Sequence, residues 1–249
     1  PCRIRGKFRQ AGMDITNPVA VGDRVDLEHT DESQSGLITR IHTRKNYIIR
    51  KSSKLSKKAQ ILAANIDQAI LVVTLKQPVT TTVFTDRFLA SAEAYRIPAI
   101  LLFNKTDLYG DDLLPEMTQL LNLYRTLDYE CLVASVPEKK GLIELGDTLK
   151  NKVSLMAGHS GVGKSSLLNS IDPGLNLRTG KISSYHQSGT HTTTFPEMVS
   201  LSGGGYVIDT PGIKGFGTVD MDKEEIFHFF REIFRYSGKC QYHNCLHLD

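Results

Sequence analysis

Gly158-His159-Ser160-Gly161-Val162-Gly163-Lys164-Ser165 has the spacing Gly-x4-Gly-Lys-Ser and directly follows the apolar stretch Val153-Ser154-Leu155-Met156-Ala157. Glycines at this spacing let backbone N–H groups turn inward and wrap a polyphosphate, with Lys164 reaching the terminal phosphates and the Ser165 hydroxyl placed on magnesium. The apolar stretch reads as a short buried strand. The helix starting at Ser165, with Ser165-Ser166-Leu167-Leu168-Asn169 after the lysine, would aim its positive dipole end at the phosphates. Strand, glycine-rich turn and helix in succession are the unit from which an α/β phosphate-binding fold is built.

A phosphate loop accepts any nucleoside triphosphate, so base choice needs a second element. Asn104-Lys105-Thr106-Asp107 closes the strand-like run Ala99-Ile100-Leu101-Leu102-Phe103, which puts it where ligands sit in open α/β sheets. A carboxylate accepts two parallel hydrogen bonds, and guanine offers such a pair from its ring N–H and exocyclic amine, whereas adenine does not. Asp107 is the candidate for that fork. Asn104 is expected to bond the base edge and tie neighbouring loops together, while the stem of Lys105 covers the flat face of the base. A further base contact is expected from backbone near Ala134 and Ser135, after the strand-like run 130–134.

Asp209-Thr210-Pro211-Gly212 follows the strand Tyr206-Val207-Ile208. Asp209 is expected to hold magnesium through water and Gly212 to give its N–H to the terminal phosphate. The polar, glycine-flanked segment Gly189-Thr190-His191-Thr192-Thr193-Thr194 suits a switch that offers a threonine hydroxyl to magnesium, with Thr192 and Thr193 both candidates. The base motif thus precedes the phosphate loop, the reverse of the order in ordinary small GTPases. Joining the old ends and cutting between the second and third motifs produces this order, which is tolerated when native termini lie close. The segment after Gly212 then runs straight into the C-terminal region, and nucleotide state is expected to be transmitted there.

At 249 residues, 40% hydrophobic and 23% charged, the chain can bury a full α/β core with small modules attached. No apolar run approaches the ~20 residues that span a bilayer and no signal-peptide pattern is visible, so no membrane partner is expected and the location is expected to be cytoplasmic. Four cysteines without an extracellular framework suit metal binding or burial better than disulfides. Cys2 and Cys131, in strand-like contexts, read as buried small hydrophobes. The chain begins Pro1-Cys2-Arg3 and stops just after a cysteine cluster, and both ends are expected to be truncated or disordered.

The net charge of +3 conceals an asymmetry: residues 1–60 hold 13 Lys/Arg against 6 Asp/Glu. Arg3, Arg5, Lys7 and Arg9 alternate with Ile4, Gly6 and Phe8, which at period two puts four cations on one strand face. Strand-like pieces at 18–27 and 36–41 follow, and Arg44, Lys45, Arg50, Lys51, Lys54, Lys57 and Lys58 extend the basic run. A small barrel of the oligonucleotide-binding (OB) type that attracts phosphate backbones is the expectation. From Ile66 onward, apolar runs alternate with helical stretches at 84–95 and 142–150, the signature of a mostly parallel sheet covered on both faces. At 224–234 the pattern predicts an amphipathic helix whose aromatic face packs in a core. Cys240, Cys245 and His247, spaced Cys-x4-Cys-x-His, offer three ligands to a tetrahedral zinc site that needs four, with His243 a candidate substitute.

These features together resemble the circularly permuted GTPases called RsgA or YjeQ, which act on the small ribosomal subunit. The resemblance covers nearly the whole chain. It implies an OB-type β-barrel over residues 1–60, a circularly permuted P-loop GTPase domain over 66–218 and a C-terminal helical zinc-binding module over 219–249. It also implies GTP hydrolysis with Mg2+, stimulated by the small subunit during late assembly, with barrel and zinc module gripping ribosomal RNA and no DNA partner. The family's zinc motif continues to a further cysteine, so the fourth ligand lies outside this chain. GTP contacts are expected from Asn104, Lys105, Thr106, Asp107, Ser135, Asp209, Gly212 and the run from Gly158 to Ser166. Ile213 stands where many small GTPases have a glutamine that positions the attacking water, and isoleucine cannot hydrogen-bond to it. His191 is the candidate replacement, and the family pattern also places a histidine there. A nucleotide-gated RNA-binding factor with negligible turnover is the alternative; a P-loop kinase is a further rival that the base motif argues against.

Overall fold

The computed structural model describes residues 2–4, 18–29, 36–51, 59–177, 197–209, 224–241 and 245. Strands β1 (Cys2–Ile4), β2 (Val25–His29) and β3 (Gly36–Ile41) form one sheet in the order β1-β3-β2, with β1 parallel and β2 antiparallel to β3. β4 (Tyr47–Lys51) and β5 (Ala59–Ala64) pair antiparallel as a second sheet. Cys2 is exposed, which corrects its reading as a buried hydrophobe. It sits on an edge strand whose three described residues all face solvent. Of the alternating cations, only Arg3 falls among the described residues.

The expected strand over 18–27 begins only at Val25, because the preceding stretch is folded around a buried ion pair. Arg44 donates from Nε and Nη2 to the two carboxylate oxygens of Asp23, each at 2.6 Å, and from Nη2 to Pro18 O at 3.0 Å. Ala20 N adds a 2.9 Å bond to the same carboxylate. Nearby Gly22 has φ +87°, and a Cβ there would lie 2.0 Å from Ala64 O, so the turn admits only glycine.

The central sheet follows from the alternation read in the sequence. β6 (Gln68–Val73), α1 (Thr82–Ala94), β7 (Ala99–Phe103), α2 (Leu113–Thr126), β8 (Glu130–Val133), α3 (Leu142–Leu149), β9 (Val153–Ala157), α4 (Lys164–Ile171), β10 (Glu197–Ser200) and β11 (Tyr206–Asp209) build six strands in the order β10-β11-β9-β6-β7-β8. All are parallel except β10, which pairs antiparallel with β11. Every residue of β6 and β7 is buried, the expected result for continuous apolar runs covered on two faces. Leu71, Leu101 and Phe103 pack with Phe88 of α1 and Met117, Leu121 and Tyr124 of α2 on one face. Ile70, Val72 and Leu102 pack with Leu145 of α3 and Leu167 of α4 on the other. Cys131 is buried in the first of these layers, and that burial pushes its thiol up to about 11.

The single helix expected over 224–234 is broken. A 3-10 turn (Ile226–Phe229) gives way at Phe230, which is extended at φ −112° and ψ 107°, to α5 (Arg231–Ser237). Its aromatic residues do not form a core, and Phe234 is 53% exposed. Arginines hold the segment instead. Arg231 donates to Glu93 Oε1 at 2.7 Å, Leu127 O at 3.0 Å and Asp128 O at 2.8 Å, with its guanidinium 4.0 Å from the Tyr129 ring centre. Arg235 donates to Thr126 O at 2.8 Å. The two arginines thereby occupy carbonyls that the C-terminus of α2 leaves without intrahelical partners.

With side-chain exposures of 5% for Arg44 and 1% for Asp23, the pair is a buried one. Asp23→Ala strands a buried guanidinium and should cost about 3–5 kcal/mol of stability, read from the denaturant midpoint. A loss under about 1 kcal/mol would mean that solvent replaces the carboxylate.

Candidate nucleotide site

Two loops leave the C-terminal ends of the parallel strands on either side of β6: 158–163 after β9 and 104–108 after β7. In the first, Gly158, Gly161 and Gly163 have φ of +142°, +87° and +100°, a backbone shape closed to most side chains. A Cβ on Gly163 would lie 2.5 Å from Asn104 Nδ2, so this glycine is where the two loops meet. Asn104 Nδ2 donates to Val162 O at 2.8 Å, which fastens the base motif to the phosphate loop. Its Oδ1 is buried with no partner.

Helix α4 starts at Lys164 as the motif requires, with Ser165 buried and Ser166 half-buried on its first turn. Lys164 Nζ folds back to donate to Gly158 O at 2.8 Å and His159 O at 3.1 Å. Burial lowers its pKa below the ordinary lysine value, and the charge of Asp209 partly offsets that. Ser165 Oγ is the second buried side-chain atom without a partner among the described residues. Ser160 and Gly161 are exposed at the loop tip, Val162 is buried beneath it, and the His159 ring lies 4.1 Å from the Phe84 ring at the start of α1.

In the base motif, Asn104 N continues the ladder to Val73 O at 2.9 Å before Lys105 turns into the left-handed region at φ 62°. Lys105 Nζ donates to Gln77 O at 2.5 Å, so its stem bridges to the loop after β6 and passes near Gly163. Thr106 donates from N and Oγ1 to Ala134 O, each at 3.4 Å. Ser135, fully buried, donates from Oγ to Asp107 Oδ1 at 2.7 Å and exchanges backbone bonds with Lys140. Asp107 remains half-buried at the turn, and a carboxylate oxygen can accept more than one bond.

Asp209 ends β11 beside Met156 of β9 and opposite Glu197 of β10. Burial raises its carboxyl above the ordinary 3.8, against the attraction of Lys164 and with a further push from Glu197. The structure thus brings together Asn104, Lys105, Thr106, Asp107, Ser135, the run 158–166 and Asp209. His191, Thr192, Thr193, Gly212 and Ile213 lie outside the described residues, as do His243 and His247. Cys240 and Cys245 are both described and half-buried, and burial together with a hydrogen bond between the two thiols raises the pKa of Cys240. Among the described residues, no group of three or more His, Cys, Asp or Glu side chains is placed to hold a metal ion.

Sequence reasoning missed two contributors. Phe84, whose ring packs at a tilt against the phosphate-loop histidine, carries no local signal because the contact is made entirely by the packing of α1. Tyr109 donates from its hydroxyl to Asn104 O and accepts from Leu75 N, both at 2.8 Å. Its position two residues past Asp107 was the available hint.

The RsgA GTPase family model matches residues 41–219, and the RsgA N-terminal domain model matches residues 1–38. The chain is 55% identical over 246 residues to "Small ribosomal subunit biogenesis GTPase RsgA 2" of Bacteroides thetaiotaomicron, covering 99% of this chain and 79% of that one. It is 52% identical over 250 residues to "Small ribosomal subunit biogenesis GTPase RsgA" of Christiangramia forsetii, covering 100% and 79%. Among solved structures, YjeQ from Thermotoga maritima superposes with a TM-score of 0.75 at 39% identity, covering all of this chain and 78% of that one. YloQ, described as a circularly permuted GTPase, gives 0.70 at 31% identity, covering all of this chain and 75% of that one. With its motifs in permuted order on a sheet that reunites them, the chain belongs to the RsgA family of circularly permuted GTPases.

Proposed function

We propose that this protein binds the small ribosomal subunit, hydrolyses GTP to GDP and phosphate when stimulated by it, and acts in late subunit assembly. The observation that carries the reading is the pair of orphaned buried polar atoms, Asn104 Oδ1 and Ser165 Oγ. They belong to the base motif and to the first turn after the phosphate loop, segments that meet at Gly163, and a buried polar atom without a partner costs about 1–3 kcal/mol unless a ligand completes it. In this reading Asp107 accepts the guanine N–H pair, Asn104 and backbone near Ser135 hold the base edge, and Lys105 covers the ring. Loop N–H groups from Gly158 to Ser166 and the Lys164 ammonium hold the phosphates, and Gly212 N–H meets the terminal one. His191 orients the attacking water when the switch segment folds over the phosphate.

The donor set fits a magnesium ion: a partnerless buried hydroxyl on Ser165, next in sequence to Lys164, and the carboxylate Asp209, whose charge acts on Lys164 and whose ionisation burial disfavours. Ser165 and one of Thr192 or Thr193 would ligate it directly and Asp209 through water; bound there, it neutralises charge on the phosphate oxygens.

The division into an OB-type barrel at 1–60, a GTPase domain at 66–218 and a zinc module at 219–249 belongs to the same proposal. Arg3 on β1, Arg24 just before β2 and Arg40 on β3 are exposed, which supports attraction to ribosomal RNA. The contact between the Cys240 and Cys245 thiols supports a zinc site to which His247 would contribute a third ligand. No described helix is long and apolar enough to cross a membrane.

Three outcomes are expected. Phosphate release should be seen from GTP and not ATP and rise by orders of magnitude with purified small subunits; unchanged slow release would favour a nucleotide-gated RNA-binding factor. Asp107→Asn exchanges an acceptor for a donor, so GTP affinity should fall about a hundredfold while xanthosine triphosphate, with an oxygen in place of the amine, gains.

The third concerns Asp209. A folded pKa raised above 3.8 means its ionisation destabilises the ligand-free fold as pH rises through that window. Lys164, lowered from 10.5, contributes stability that grows with pH between its lowered value and 10.5. At neutral pH both charges are carried at a cost that phosphate and cation remove. Asp209→Asn should therefore leave the ligand-free melting temperature unchanged or higher, while abolishing the magnesium-dependent rise with GTP. A lower ligand-free value would contradict this.

A further inference from the structure

The Tyr109 hydroxyl sits where β6 and β7 part company. Their ladder pairs Val73 with Phe103 and extends one bond further, from Asn104 N to Val73 O at 2.9 Å. Beyond that, β6 runs into the 74–80 loop and β7 into the base motif, leaving Leu75 N–H and Asn104 C=O facing a gap. Tyr109 fills it, donating to Asn104 O and accepting from Leu75 N, with the residue 6% exposed. One donor and one acceptor are thereby both satisfied by a single phenol.

What the hydroxyl joins explains its use. The 74–80 loop is closed on itself, with Thr80 N donating to Thr74 O at 2.7 Å and Thr74 Oγ1 to Pro78 O at 2.5 Å. Its Gln77 carbonyl receives Lys105 Nζ, and Pro78 lies 3.6 Å from where a Gly161 Cβ would be, so the loop borders both the base motif and the phosphate loop. Tyr109 N also donates to Thr106 O at 3.1 Å, which closes the turn carrying Asp107.

We infer that Tyr109 is a positioning residue for guanine: its hydroxyl sets the spacing between the base-recognition turn 104–107 and the 74–80 loop, and through that spacing tunes discrimination at the exocyclic amine. The inference rests on the base-binding role given to Asp107 above.

The test uses the full chain and compares affinity for GDP, IDP and ADP. IDP lacks the exocyclic amine that Asp107 would accept. Tyr109→Phe keeps the ring but leaves a buried N–H and a buried C=O without their partner. Its GDP affinity should fall about tenfold while IDP affinity changes little, so the GDP-to-IDP preference narrows by about the same factor. Tyr124→Phe is the control. It removes another buried tyrosine's hydroxyl bond, to Asp86 at 3.1 Å, outside the site, and should leave the preference at the wild-type value.

Equal loss of GDP and IDP affinity in Tyr109→Phe, or equal narrowing in Tyr124→Phe, would reduce Tyr109 to a general stabiliser and overturn the inference. A wild-type chain that binds GDP and ADP equally would overturn the guanine reading and this inference together. A guanine-selective wild type with an unchanged Tyr109→Phe ratio removes this inference alone. A second readout needs no variant: because coupling is reciprocal, the Leu75 amide proton of the wild-type chain should exchange more slowly with GDP bound than with IDP bound. Equal rates would count against the role.

Discussion

One hydrogen bond, from Asn104 Nδ2 to Val162 O, joins the two loops on which everything else at the candidate site depends. It forms only because position 163 carries no side chain, since a Cβ there would collide with the same amide nitrogen. The strand order makes the approach available. β9 and β7 flank β6, so loops leaving their C-terminal ends rise on either side of one central strand and can close over it. Ser135 extends the connection to the far side, through its bond to Asp107, so three segments distant in the chain form one rim.

The electrostatics of this rim make sense as those of a site awaiting a polyanion and a cation. Lys164 is half-buried among carbonyls and Asp209 is half-buried, and each carries its charge against the cost of burial. Fixed, desolvated charges and dipoles interact more strongly with a bound phosphate than mobile, hydrated ones do, and they require no rearrangement at the moment of reaction. The stability forgone in the ligand-free state is the counterpart of that preparation.

At the periphery, polar side chains rather than apolar faces set the joints. Asn46 bonds both N and O of Ile66, Asn65 reaches Gly22 O, and Asp67 accepts from Val153 N at the start of β9, so the N-terminal strands are tied to the strand that leads into the phosphate loop. At the other end, Arg231 and Arg235 bind α5 to the carbonyls closing α2. Such directional bonds specify an orientation in a way that apolar contact alone does not.

Much was legible in the sequence because it is encoded locally. The spacing from Gly158 to Ser165 demands a strand, a tight turn and a helix, and the structure has β9, the loop and α4 there. The continuous apolar run at 99–103 leaves no polar face and so must lie in the middle of a sheet, as β7 does. The sequence reading did not single out α2, although Met117, Leu121 and Tyr124 recur there at helical spacing. Non-local competition decided the rest. The apparent strand at 18–24 yields to the Arg44–Asp23 pair, because a buried guanidinium must be satisfied whatever the local propensity. The aromatic segment at 224–234 breaks at Phe230, where arginine contacts to α1 and α2 outweigh a continuous amphipathic helix. Cys2 is exposed because edge position, not residue type, sets its environment. The motifs and their permuted order are properties of the chain, and with them the family. The meeting of Asn104, Gly163, Ser135 and Tyr109 belongs to the tertiary structure, because contacts across strands depend on sheet order and register, which no local spacing records.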